Sequence, residues 1–173
     1  ALDAEQMAAI AALDAEGVRA ATVSTLFALP EDGAEVGETL LAALDRVVGE
    51  AEAAVAAGAS IVVLSDRGIG AERAALPMLL AVGAVHQALI RAGIRMDADI
   101  VAESGETCDV HAFACLLGYG ASAVCPWMAL EAAGSYAGTR GHEGLTPADL
   151  RHNYLKQLEK GFLKVSAKMG IST

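Results

Sequence analysis

The chain lacks several of the patterns that would assign chemistry at sight. It has no close cysteine pair: Cys108, Cys115 and Cys125 are its three cysteines, spaced C-x6-C-x9-C. A zinc site built on cysteine needs pairs such as C-x2-C, so none is expected. The odd count argues against a disulfide framework and for a reducing compartment, with thiols behaving as small hydrophobes. His86, His111, His142 and His152 are dispersed, so a histidine metal site, a Cys–His pair or a Ser–His–Asp arrangement has no sequence support. There is no G-x-x-x-x-G-K-[ST] loop and no H-E-x-x-H. Gly68-Ile69-Gly70 lacks the third glycine of a dinucleotide fingerprint. Aromatic residues make up only 4% of the chain.

No apolar run reaches the roughly 20 residues of a membrane span; Arg67, Arg73, Arg91 and Arg95 interrupt the apolar middle. A basic leader segment is also missing, since Asp3 and Glu5 open the chain. These features lead to the expectation of a cytoplasmic protein. A net charge of −10 speaks against nucleic acid.

What is present is alanine-rich and apolar, with a mean hydropathy of +0.43. The charge is uneven. Residues 1–59 carry eleven acids against Arg19 and Arg46, whereas from residue 151 onward Arg151, Lys156, Lys160, Lys164 and Lys168 face only Glu159. Lysines at every fourth position drift slowly around one side of a helix. They form either a solvated face or a surface for an acidic partner.

Strand-like and helix-like segments alternate. Helices are predicted over 2–15, 38–57, 77–92, 107–117, 126–136 and 147–168. Strands are predicted over 18–27, 60–64, 98–102 and 121–125, with 30–37 and 65–75 as loops. Ser60–Leu64 is a continuous apolar run of the kind buried on both faces of a parallel sheet. Strands joined through helices run parallel with right-handed crossovers. The fold class is therefore α/β, built of parallel βα units. A partial or degenerate TIM-barrel-like domain and an open doubly wound sheet both satisfy the pattern. Met169–Thr173 reads as the beginning of a further strand, which suggests a piece of a longer protein.

Sites on parallel α/β folds form at the C-terminal ends of strands. Three segments qualify: Ser65-Asp66-Arg67, Glu103-Ser104-Gly105-Glu106 and Cys125-Pro126-Trp127. Arg67 offers a planar fork for a carboxylate or phosphate, and Glu103 with Glu106 offers a carboxylate pair for acid–base work. The competing reading has Asp66 and Arg67 capping a helix and pairing with Glu103 or Glu106, with Glu106 placed favourably at a helix N-terminus.

The segments GASIVVLSDRG, ALPMLLAVGAVHQALIRAGIR, IVAESGETCDVHAFACLLGYGASAVCPWMALE and NYLKQLEKGFLKVSAKMGIST resemble, in this order, the large subunit of glutamate synthase. The resemblance is to its central domain running into the start of its flavin-binding barrel. It implies residues 1–163 as central domain and 164–173 as the truncated start of the FMN-binding barrel. It further implies a parent enzyme that makes two glutamates from glutamine and 2-oxoglutarate, with NADPH or ferredoxin as reductant. In that parent an amidotransferase domain releases ammonia, and a barrel with FMN and an iron–sulfur cluster uses it. A small reductase subunit or ferredoxin is the implied external partner. The piece itself would hold no cofactor or metal and would be inactive alone, connecting the two sites. Met169, Gly170, Ile171, Ser172 and Thr173 would lie near FMN. Cys125-Pro126-Trp127 stands where much of the family has Asn-Pro-Tyr, and His111-Ala112 where it often has two histidines, so the thiols read as packing variants. A free-standing binding module is the alternative.

Overall fold

The run Ile61–Ser65 lies at the centre of a sheet, and its neighbours explain why it is apolar throughout. The computed structural model describes residues 1–29 and 36–171. In chain order the elements are α1 (Ala4–Ala11), β1 (Asp14–Ala15), β2 (Val18–Ser24), β3 (Leu26–Ala28), α2 (Val36–Ala56), β4 (Ile61–Ser65) and β5 (Arg73–Ala75). There follow α3 (Met78–Arg91), a 3-10 turn (Arg95–Asp97), β6 (Asp99–Glu103), α4 (Val110–Gly118), β7 (Ala123–Cys125), α5 (Trp127–Ser135) and α6 (Pro147–Met169).

The main sheet has the order β1-β2-β4-β6-β7. β2, β4, β6 and β7 are parallel, and β1 adds antiparallel to β2. Each parallel strand is laid beside the preceding one, as in successive units of a βα barrel. The order never reverses, so the doubly wound alternative does not apply, and among the described residues the sheet stays open rather than closing.

Alternation of side chains across the pleat divides the core. Val62, Leu64, Ile100, Ala102 and Val124 face α2, α3 and α4, with Val47, Val82, Leu89, Phe113 and Leu116 from those helices in the same cluster. Val63, Val101 and Cys125 face the other way, against Met7 of α1 and Leu130 of α5. Val62, Val63 and Leu64 are at most 1% exposed, as a strand covered on both faces requires. Gly58 ends the turn after α2 with φ +93°, a conformation that favours glycine.

Some boundaries differ from the sequence expectation. The first helix, capped by Asp3 and Gln6, stops at Ala11 because the chain turns at Gly17 to pair β1 with β2. The strand expected over 18–27 breaks at Thr25, which is fully buried. Its N–H and hydroxyl both donate to the Ser65 carbonyl, at 2.9 and 3.1 Å. β3 then leaves the main sheet to pair antiparallel with β5, inside the stretch expected to be a loop. Residues 30–35 of the expected acidic loop lie outside the described residues, as do Ser172 and Thr173.

Met169 does not open a strand. It closes α6, and Gly170 caps that helix in the left-handed region with φ 73°. The Gly170 and Ile171 N–H groups donate to the carbonyls of Ala167 and Ser166. α6 starts at a Thr146–Asp149 capping box with Pro147 in its first turn and runs unbroken through residues 163 and 164. The helical signal in KVSAKM extends to its natural stop at glycine.

Candidate functional site

Strand register assembles the polar edge. Ser24 pairs with Ser65, Ser65 with Glu103, and Glu103 with Cys125, so these residues form one row at the C-terminal ends of β2, β4, β6 and β7. The row continues the inner positions Val63, Val101 and Ala123, and the next residues, Asp66 and Ser104, begin the loops.

Glu103 sits in the middle of the row and is 8% exposed. The Ser65 hydroxyl donates to its Oε2 at 2.6 Å, and the Arg67 Nε–H donates to its Oε1. Arg67 lies over the Trp127 ring, 4.8 Å from its centroid, a distance at which a guanidinium is attracted to an indole face. Asp66 is only 2% exposed. The Gly105 N–H donates to both of its carboxylate oxygens, at 2.9 and 2.7 Å, and the Trp127 indole N–H donates to Oδ1 at 2.6 Å. Burial pushes the Asp66 carboxyl above its ordinary range; the bonds from Trp127 and Gly105 oppose this, and the nearby Glu103 charge adds to it. A Cβ on Gly105 would lie 3.1 Å from the Trp127 ring, so glycine lets the indole close over this turn.

Glu106 serves a separate purpose. Its Oε1 accepts the Met78 N–H at 2.6 Å, satisfying a free donor at the start of α3 where the helix dipole favours negative charge. Glu103 and Glu106 are thus engaged by different partners. Ser104 and Thr107 are buried and bond to each other at 3.0 Å. Among the described residues no buried side-chain nitrogen or oxygen lacks a partner, and no group of three or more His, Cys, Asp or Glu is placed to hold a metal ion. The arrangement binds the strand ends to one another.

A groove lined by Glu106 and Thr107 opens beside this edge, and others lie away from it. One of about 440 Å³ runs between α3 and α4, lined by Leu79, Leu80, Gly83, Gln87 and Tyr119 with His86 at its side. His86 accepts from Arg95 Nε–H at 2.9 Å, and Arg95 also donates to the carbonyls of Ala98 and Gly120. Burial, with the Arg95 charge, pulls the His86 imidazole below its ordinary value. His86 is therefore a packing residue with a local bond, as its position within a helix suggests. His111 is not; it is exposed on α4, with its Nε2 3.7 Å from the Cys115 sulfur.

The cysteines also differ among themselves. All three are free; Cys108 is exposed, Cys115 half-buried and Cys125 buried. Burial, with the Glu103 charge beside it, pushes the Cys125 thiol up to about 12. The packing reading describes Cys125 and does not describe Cys108. Sequence reasoning missed the Trp127–Asp66 bond, which depends on how closely two loops approach. It also missed the His111–Cys115 contact, whose i,i+4 spacing was a readable signal.

The profile of the family described as glutamate synthase central domain matches residues 1–173. The chain belongs to the glutamate synthase central domain family. It is 43% identical over 169 residues to ferredoxin-dependent glutamate synthase 2 of Synechocystis sp., covering 90% of this chain and 10% of that protein. It is 41% identical over 153 residues to the chloroplastic ferredoxin-dependent glutamate synthase of Oryza sativa subsp. japonica, covering 80% of this chain and 10% of that protein. It is also 41% identical over 133 residues to the NADH glutamate synthase of Schizosaccharomyces pombe, covering 76% of this chain and 6% of that protein. The chain thus spans about a tenth or less of the length of these relatives. Among the described residues no helix is long and apolar enough to cross a membrane.

Proposed function

We propose that this chain acts as the connecting domain of a glutamate synthase and performs no chemistry by itself. The parent reaction converts glutamine, 2-oxoglutarate and two reducing equivalents into two glutamates. The observation that carries the reading is the closed strand-end network. In the place where a catalytic α/β unit presents its reactive groups, Asp66, Arg67, Glu103 and Glu106 are engaged by Gly105, Trp127, Ser65 and Met78 within the chain. The family match over the whole chain supplies the parent.

In this reading FMN and an iron–sulfur cluster belong to the parent's barrel, and an amidotransferase domain to its other side. Residues 164–173 lead from this domain toward the barrel. The proximity to FMN proposed for Met169–Thr173 is a property of the joined barrel: as folded here, the Gly170 and Ile171 N–H groups are turned to α6 carbonyls and are not offered to a flavin. Ferredoxin or a reductase subunit is the proposed electron donor. The names of the Synechocystis and rice relatives favour ferredoxin, and that of the Schizosaccharomyces pombe relative favours a nicotinamide nucleotide. Three free thiols suit a reducing compartment such as the cytoplasm.

The test is to read the gene outward from both ends and to assay its full product. An upstream domain with an amino-terminal cysteine, a downstream cluster-binding barrel, and reductant-dependent formation of two glutamates per glutamine support the reading. An open frame limited to these residues overturns it in favour of a free-standing binding module.

A further inference from the structure

We propose that Cys115 is a reversible modification site, at which His111 activates the thiol toward small-molecule disulfides. The two residues lie one turn apart on α4, so their side chains share a face. The Cys115 sulfur is 3.7 Å from His111 Nε2. With the imidazole proton on Nδ1, Nε2 is free to take the proton of the thiol. Beside the pair a groove of about 310 Å³ is lined by Leu79, Glu106, Thr107, Ala112 and Leu116. The structure thus brings together a nucleophile, a base and room for an adduct. The proposal rests on this geometry and is independent of the glutamate synthase reading.

The other two thiols supply the contrast. Cys125 is buried and hard to ionise. Cys108 is more exposed than Cys115 but has no imidazole contact among the described residues. Accessibility alone therefore favours Cys108, and base assistance favours Cys115, because the thiolate is the attacking species.

In the proposed step the Cys115 proton passes to His111 Nε2. The thiolate attacks one sulfur of a disulfide RS–SR; the Cys115 Sγ–S bond forms and the S–S bond breaks. The departing RS⁻ takes the proton from His111 and leaves as RSH. Cys115 is oxidised to a mixed disulfide while one half of RS–SR is reduced to thiol. A further thiol reverses the reaction. The adduct occupies the groove next to Glu106, whose carboxylate caps the first turn of α3, so modification bears directly on that helix end.

The test uses the chain with 2-hydroxyethyl disulfide as probe, acid quenching and mass mapping of the cysteine peptides over time. Cys115 is expected to be capped about tenfold faster than Cys108. His111→Gln should lower the Cys115 rate to that of Cys108, leave the Cys108 rate and the circular dichroism unchanged, and dithiothreitol should remove the adduct. Equal or faster capping of Cys108 in the unaltered chain overturns the proposal, and this ordering decides the matter even if His111→Gln folds poorly. An unchanged Cys115 rate in a folded His111→Gln variant overturns it as well.

Discussion

Two helical glycines should respond in opposite directions to the same added methyl group. Gly161 lies inside α6, where a Cβ would press into Val110 Cγ2 and lie 3.0 Å from its Cγ1 and 3.2 Å from its Cβ. Val110 opens α4, and a β-branched side chain in a helix has little rotamer freedom to retreat. Gly49 lies inside α2, exposed, and a Cβ there would meet nothing within 4 Å. Helix propensity alone favours alanine over glycine by about 1 kcal/mol. Gly49→Ala should deliver that gain. For Gly161→Ala the same gain is set against overpacking, which costs about 1–3 kcal/mol, and the depth of the overlap puts the cost toward the upper end. The expected net result is a loss of about 1–2 kcal/mol. For a chain of this length each kcal/mol moves the melting temperature by about 2–4 °C. Thermal and urea unfolding followed by circular dichroism would read both variants. A Gly161→Ala protein as stable as the parent chain would refute the claim that α4 and α6 meet through this glycine.

Two further substitutions probe the strand-end network. Glu103→Ala removes the acceptor of both Ser65 and Arg67; because Arg67 is 46% exposed, solvent replaces part of the loss, and urea unfolding should show about 1–3 kcal/mol. A cost below a few tenths would mean that the pair contributes nothing. Asp66 tests the pH dependence. Its folded pKa is raised above the ordinary 3.8, so the folded state holds the proton more tightly than the unfolded chain. The group's contribution is then most favourable below 3.8 and declines as pH rises through the folded pKa. Stability of Asp66→Asn relative to the parent chain should rise across that window and level off above it, read by the emission of Trp127 at several pH values. A difference that is flat, or slopes the other way, would contradict burial as the dominant influence.

Long-range order was more legible than local exceptions. The apolar run at Ile61 and the alternation of segments were enough to indicate a parallel α/β sheet, because a strand covered on both faces has few alternatives. The break at Thr25 was not legible, since it depends on a carbonyl of Ser65 forty residues away in sequence. Nor was β5, whose three residues carry no pattern of their own and pair only because β3 has left the main sheet. The strand-end loops could be named from the positions of Asp66, Glu103 and Trp127, but their partners could not. Those partners follow from the register between β4, β6 and β7 and from the absence of a side chain at Gly105. The end of α6 misled because Met169 and Ile171 are apolar; Gly170 is the stronger signal, and it stops the helix.

The most direct test of the structural account is the paired replacement Arg67→Met with Glu103→Leu in the full enzyme encoded by the parent gene. Apolar residues of similar volume commonly replace a buried ion pair with little change in stability, and in this pair only Glu103 is buried, Arg67 being 46% exposed. The account predicts glutamine-dependent glutamate formation within about threefold of the unaltered enzyme, since these groups fasten strands and touch no substrate. Loss of a participating acid or base typically costs about 100-fold or more. A fall of that size in kcat, with the melting temperature unchanged, would contradict the account and make the strand-end cluster part of the catalytic machinery.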